Sequence, residues 1–285
     1  MVEPEPIASS SFGAPKRALS QNFLKDRSIA AGIVDAVCPE DFDGVIEIGP
    51  GRGALTVLLA ERSRRLVAVE LDGDLAGALA SLLAPYGRRA EVMNADFLAL
   101  DLDAVLSGGE WAAVGNIPYA ITTPILLKLL DHRQRLGRIV LMVQREVGDR
   151  WAAPPGGRAC GAISVWCQYC CRVERIRRVR AGAFIPPPKV ESSVLRLVPR
   201  RDPEPKAADE TFLQQVVRAA FHQRRKRAVT SIADQAPMNT SRKAMEAAFV
   251  ELGLDPAMRA EQIPVDDYVR LANALIVRRG EAMDG

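Results

Sequence analysis

The run GVIEIGPGRGALT, residues 44–56, most restricts what this chain can fold into. An apolar stretch ends at Gly49, Gly51 and Gly53, and ALTVLLAERS, with the apolar spacing of a helix, follows at once. Glycines at such a turn permit a tight bend and let a ligand approach backbone N–H groups at the start of a helix. A strand, a glycine turn and a helix make the first half of a βαβ unit. The pattern then repeats. RLVAVELD reads as a second strand, GDLAGALASLLAPYG as a helix, AEVMNAD as a third strand and AAVGNIP as a fourth. TPILLKLLDH is a helix, with Thr122 or Thr123 placed to cap it, and GRIVLMVQ is a fifth strand. This alternation predicts an α/β fold with a mostly parallel sheet covered on both faces.

The alternation breaks at VERIRRVRAGAFIPPPKVESSVLRLVPR, which reads as two strands joined by a proline-rich loop, as in a hairpin. Just before it, ISVWCQYCC reads as a helix or strand that fills a core. PRRDPEPKAAD has linker composition, and the pattern beyond about residue 207 is helical. Three segments are expected: a disordered tail over 1–16, an α/β domain over 17–200 and a helical domain over 207–285. The tail is acidic and rich in Pro and Ser, unlike a secretory signal, which points to a cytoplasmic protein. No apolar run reaches the roughly 18 residues that suggest a membrane span.

Net charge is +3, too small to announce a nucleic-acid partner. Local clusters say more. Arg224, Arg225, Lys226 and Arg227 are consecutive, and CRVERIRRVR sets Arg172, Arg175, Arg177, Arg178 and Arg180 around Glu174. Each reads as a phosphate-binding patch or as a solvated face. The cysteines, Cys38, Cys160, Cys167, Cys170 and Cys171, lack the two separated ligand pairs of a structural zinc site. Reduced buried thiols are expected, and no metal. The two histidines, His132 and His222, lie near no Cys, Ser or carboxylate motif, which argues against histidine acid–base chemistry.

The glycine turn fits a dinucleotide fingerprint as well as an S-adenosylmethionine site. Glu70, at the end of the second strand, suits two ribose hydroxyls in either ligand. Asp96, ending the third strand, suits an exocyclic adenine amine. The sequence GNIPY at the end of the fourth strand then discriminates, because a hydride-transfer enzyme has no evident need for it. An adenine amine is a poor nucleophile, its lone pair being delocalised into the ring. The Asn116 side-chain oxygen and the Pro118 carbonyl, each accepting one N–H, would hold that nitrogen and favour its rehybridisation toward a sulfonium methyl. Tyr119 would stack on the base. Positioning and dipoles would carry such catalysis without a strong base.

LSQNFLKD, EIGPGRGALT, VAVELD, NADFLALD, GNIPYAITTPIL, AFIPPPKVESSVLRL and AFHQRRK occur in this order. Over about residues 17–278 the chain resembles the rRNA adenine N6,N6-dimethyltransferase family, most of all its bacterial small-subunit branch, linked to kasugamycin sensitivity. The resemblance implies a Rossmann-like class I methyltransferase sheet, an all-α C-terminal rRNA-binding domain and S-adenosyl-L-methionine as cofactor. It implies dimethylation of two adjacent adenosines in the 3′-terminal hairpin of small-subunit (16S) rRNA, late in subunit assembly, by a monomer acting on an immature subunit. Carried over by residue, Asn22 and Leu24 help close over the cofactor, and Gly49 and Gly51 approach its methionine moiety. Glu70 lies at the ribose and Asp96 at the adenine, Leu71 and Phe97 are further cofactor contacts, and Asn116 touches cofactor and target. Phe184 is implied as the second aromatic face opposite Tyr119, and the 224–227 run as an RNA contact.

Overall fold

The computed structural model describes residues 22–235 and 240–283, with side chains to residue 278. The expected tail over 1–16 lies outside the described residues. Two compact units are formed, one from residues up to Gly148 with Glu174–Pro199, the other from Asp149–Val173 with the chain from Arg200 onward.

The first unit begins with the short strand β1 (Phe23–Leu24) and helix α1 (Arg27–Val37). Asp26 caps α1 by accepting the Ile29 N–H at 3.0 Å. The alternation read from the sequence follows: β2 (Gly44–Ile48), α2 (Thr56–Arg62), β3 (Leu66–Glu70), α3 (Gly73–Leu83), β4 (Ala90–Asn94), α4 (Leu102–Val105), β5 (Trp111–Asn116), α5 (Thr122–Asp131) and β6 (Leu136–Gln144). Then come α6 (Arg145–Trp151), α7 (Ala162–Cys170), β7 (Cys171–Val179), β8 (Phe184–Ile185) and β9 (Ser192–Pro199). Strands β4, β3, β2, β5 and β6 lie side by side and parallel, β9 runs antiparallel to β6, and β7 is the edge.

All residues of β2 and β3 are buried, so the centre of this sheet is covered on both faces, as its predominantly apolar strands require. One face packs Val45, Val114 and Val140 against Ile33 and Val34 of α1 and Leu59 of α2. The loop between β7 and β9 carries β8, which pairs antiparallel with β1 outside the main sheet, Leu24 opposite Phe184.

The second unit contains α7, α8 (Glu210–His222), α9 (Ala228–Ala233), α10 (Arg242–Glu251) and α11 (Val265–Met283). Its core includes Leu213, Val216, Ile232, Phe249 and Leu271, all at 1% exposure or less. The division departs from the expected boundary near 200, because residues 149–173 group with the C-terminal helices. The reason is the apolar side of α7. Trp166 and Tyr169 stack on each other, α7 packs on α8 and α11, and the Tyr169 hydroxyl donates to Glu210 while accepting the Ala207 N–H, both at 3.2 Å. ISVWCQYCC is therefore mostly helix. Its thiols are free and buried, and burial pushes Cys167 well above the ordinary thiol range. Among the described residues no cluster of His, Cys, Asp and Glu could hold a metal, and no helix is long and apolar enough to cross a membrane.

Candidate active site

The carboxyl ends of β2, β3 and β5, with β1 and the segment after β4, enclose a cleft of about 260 Å³ within the first unit. An open α/β sheet binds its ligands at this end. Asn22, Leu24, Gly49, Gly51, Glu70, Leu71, Asp96, Phe97, Asn116, Pro118 and Tyr119 all line it.

The glycine turn needs its glycines. Gly49 and Gly51 have φ of +64° and +58°, and a Cβ on Gly51 would sit 3.0 Å from the Phe23 ring. Phe23 thus packs directly on the turn, with the Arg52 guanidinium 4.6 Å from its ring centre. Sequence reasoning named Asn22 and Leu24 but missed Phe23 and Arg52, which also line the cleft. The signal was there, an aromatic next to Asn22, but pairing it with a glycine nearly thirty positions on is a tertiary fact.

Glu70 is buried, and its carboxylate organises the turn. Oε2 accepts the Gly51 N–H at 3.0 Å and Oε1 the Asp72 N–H at 2.9 Å. A carboxylate offers about four acceptor positions, so two remain. Asp96 is exposed, with one oxygen accepting the Leu98 N–H at 2.9 Å. Phe97 is buried, whereas Leu71 presents an apolar surface that is 55% exposed. Lys128 of α5 donates to the Leu98 and Leu100 carbonyls and lies 5.7 Å from the Phe97 ring centre, tying down the segment that carries Asp96. Lys128 was not among the residues singled out from the sequence.

Glu47, on β2, is a second carboxyl in the cleft wall, and it is 1% exposed. Its Oε2 has no hydrogen-bond partner among the described residues. Burial pushes its pKa up to about 8, with the Thr56 side chain pulling it down and the Glu70 charge adding to the rise. Glu47 is therefore mostly protonated at neutral pH. Because the unfolded chain releases this proton near the ordinary carboxyl value of 4.5, the folded state binds more protons between the two values. Stability should then fall as pH rises from about 5 to about 8 and level off above. Urea unfolding across that range should show a decline in the wild type and a flatter profile in Glu47→Gln. Equal slopes would mean that Glu47 is ionised in the folded protein.

Asn116 ends β5. Its Nδ2 donates to the Asn22 carbonyl at 3.1 Å, and since a carbonyl can only accept, the amide is held with its nitrogen toward Asn22. The Pro118 carbonyl accepts the Ile121 N–H at 3.2 Å. Neither threonine caps α5 through its side chain; the Thr122 hydroxyl turns back instead, 3.2 Å from the Pro118 oxygen and 3.1 Å from that of Tyr119. One proton serves two carbonyls, and when Tyr119 takes it Pro118 keeps an open acceptor position. The half-buried Tyr119 places its hydroxyl 3.2 Å from Ser192 Oγ at the start of β9.

Phe184 is not among the residues that line the cleft. Its ring is 2% exposed in the core cluster that includes Leu24 and Val34, where it anchors the β1–β8 pair. The 224–227 run is exposed in the second unit. Arg224 donates to the Cys160 carbonyl at 2.9 Å, Lys226 lies 3.8 Å from Asp234, and Arg227 lies 3.5 Å from Glu246. Arg225 has no such partner among the described residues.

The strand order and a glycine-turn cleft closed by an Asn-Ile-Pro-Tyr strand end define a Rossmann-like class I methyltransferase. Residues 14–276 match the family described as ribosomal RNA adenine dimethylase, and the chain belongs to that family of enzymes. It is 40% identical over 270 residues to the ribosomal RNA small subunit methyltransferase A of Bacillus cereus strain AH187, covering 93% of this chain and 92% of that one. The protein of that name from Bacillus anthracis strain CDC 684 / NRRL 3495 matches equally well. Among solved structures, the 23S rRNA methyltransferase ErmE is 28% identical with a TM-score of 0.70, covering 90% of this chain and 100% of that one. A dimethyladenosine transferase from Plasmodium falciparum shares the fold, with a TM-score of 0.77 over 87% of this chain and 95% of that one, at 23% identity.

Proposed function

We propose that this chain uses S-adenosyl-L-methionine to dimethylate N6 of two adjacent adenosines in the 3′-terminal hairpin of small-subunit (16S) rRNA. It would act in the cytoplasm, as a monomer, on an immature subunit late in assembly. The observation that carries this reading is the clamped Asn116 amide. With Nδ2 on the Asn22 carbonyl, Oδ1 is left as an acceptor at the cleft, which is what an exocyclic amine needs.

The residues present fit the cofactor. Glu70 has two acceptor positions left for ribose hydroxyls, Asp96 has a free oxygen for an adenine amine, and Leu71 offers an apolar face. Glu47 is a buried acid whose Oε2 has no hydrogen-bond partner among the described residues, so a cationic group brought near it would favour its ionisation. When bound, the cofactor supplies an electrophilic methyl on a sulfonium. The protein holds the target nitrogen. Asn116 Oδ1 accepts one of its N–H bonds, and the Pro118 carbonyl accepts the other while Thr122 donates to Tyr119. The Tyr119 ring fixes the plane of the base. The nitrogen would become cationic as its lone pair forms the new N–C bond while the S–C bond breaks and leaves its electrons on sulfur, and it would then pass its proton to water, so no strong base is needed. Within the 224–227 run, Arg225 is the cation without an acid or carbonyl partner among the described residues, and it would bind RNA phosphates with Arg224, Lys226 and Arg227 beside it.

Glu70→Ala should weaken cofactor binding by at least about 100-fold, since two charge-assisted hydrogen bonds are worth on the order of 1.5 to 3 kcal/mol each. It also removes the acceptor that shapes the turn at Gly51. Affinity for rRNA should change little. Calorimetry with S-adenosylmethionine checks this, and an unchanged dissociation constant would remove Glu70 from the cofactor site. The function as a whole is tested by mass-spectrometric mapping of methylated adenines in rRNA from cells with and without this protein. Loss of two adjacent dimethyladenosines from the small-subunit 3′ hairpin is expected, and their persistence would refute it. A change confined to large-subunit rRNA would move the substrate to the other subunit.

A further inference from the structure

We infer that the end of edge strand β7 and the residue that follows it carry a second RNA contact: Arg177, Arg178 and Arg180 bind the phosphodiester backbone of the RNA strand that leads to the cleft. This rests on the proposed action on rRNA, and it concerns the first unit alone. Strand β7 is last in the sheet, so one side of it has no partner strand. All three arginines are exposed, and none has an acidic partner among the described residues. Some arginines of this unit are matched, Arg62 to Asp35 at 2.6 Å and Arg145 to Glu191 at 3.0 Å, whereas Arg27, Arg88, Arg89 and Arg135 are exposed like the β7 cluster but scattered over the chain. The one acid within the cluster, Glu174, is taken by Arg196, whose Nε lies 3.0 Å away. These three cations are left uncompensated.

Their position gives the charge a purpose. The Arg180 carbonyl accepts the Ala183 N–H at 3.0 Å, the Ala183 carbonyl accepts the Lys25 N–H at 2.9 Å, and the next residue, Phe184, pairs with Leu24 of the cleft wall. The cationic end of β7 therefore runs directly into the ribbon that bounds the site. Arg177 rests on α1, its Nη1 being 3.6 Å from where a Cβ on Gly32 would lie, so its guanidinium is placed rather than free in solvent. Guanidinium groups present a planar fork that matches phosphate oxygens, which suits RNA backbone better than the point charge of lysine. Charges on an edge strand can also serve only to prevent sheet-to-sheet association. The two roles separate experimentally, because either sign of charge guards an edge and only a cation binds phosphate.

The test uses the full chain with unmethylated small-subunit rRNA at a series of salt concentrations. Two triple variants are compared, one with Arg177→Gln, Arg178→Gln and Arg180→Gln, the other with Glu at all three positions. In the Gln variant the slope of log affinity against log salt should fall by about 2 to 3, the counterion release of three phosphate contacts. Affinity near physiological salt should drop by about 10- to 100-fold. The Glu variant should remain monodisperse and bind more weakly still. Affinity for S-adenosylmethionine should stay as in the wild type in both. If the Glu variant binds RNA like the wild type, or the salt slope of a soluble Gln variant does not move, β7 only guards an edge and the inference fails while the proposed function stands. If the wild type itself neither binds nor methylates this RNA, the proposed function fails and the inference with it.

Discussion

Asn116→Ala should lower the rate of methyl transfer by at least about 100-fold while the protein stays folded. Removing one preorganised hydrogen-bonding group from a reaction centre has an effect of this size. The side chain sits at the last residue of β5, half-buried at the edge of a cleft, so its loss opens no cavity in the core. Two things go at once. The target amine loses an acceptor, and the Asn22 carbonyl loses the donor that ties β1 to the end of β5. The second loss should also loosen the segment at 22–24, so cofactor affinity should fall by a smaller factor. Asn116→Asp separates the effects. A carboxylate still offers an acceptor but repels the Asn22 carbonyl, and its rate should lie between those of the wild type and the Ala variant. Single-turnover methylation at saturating cofactor, with thermal unfolding alongside, makes the comparison. A rate within threefold of wild type for the Ala variant would remove Asn116 from the chemistry.

The parts of this protein that were legible in the sequence are those written in local pattern. Strands β2, β3, β5 and β6 are predominantly apolar runs, each bounded by a turn residue or a charge, and the glycine turn follows β2 with no insertion. Glu70, Asp96 and Asn116 could be ordered around one cleft because each lies at or just past the end of a parallel strand, and parallel strands bring their carboxyl ends to the same side of a sheet. What escaped depended on partners far along the chain. The apolar side of α7 announces burial but not against what, and it groups with α8 and α11. A phenylalanine before a proline loop can face a ligand or a core, and the Phe184 ring is buried in the core cluster while its backbone pairs with Leu24. The protonation of Glu47 is a consequence of depth, which no spacing encodes. The run at 224–227 looks like four free cations in sequence, yet most of them find an acid or a carbonyl within reach.

Tyr119→Ala should be the other severe lesion, and Tyr119→Phe a mild one. Base–aromatic stacking is worth about 1 to 3 kcal/mol by alanine substitution, or roughly 5- to 150-fold. Losing the ring also frees the plane of the base, so the Ala variant should lie at the upper end of that range. The hydroxyl is spoken for elsewhere. It meets Ser192 Oγ at 3.2 Å, on a serine that is 1% exposed at the start of β9, so it steadies the ring from behind and is directed to a protein partner. Tyr119→Phe therefore leaves the stacking surface in place and strips a buried serine of one partner, a cost of about 1 to 3 kcal/mol that falls mainly on stability. Its methylation rate should stay within about tenfold of wild type. Ser192→Ala should reproduce that small effect, and the double variant should add little to either single one, because all three break the same hydrogen bond. Single-turnover rates rank the series, and thermal unfolding shows where the stability goes. Equal damage from Tyr119→Phe and Tyr119→Ala, with Ser192→Ala harmless, would mean that the hydroxyl acts on the substrate and that stacking is not what Tyr119 contributes.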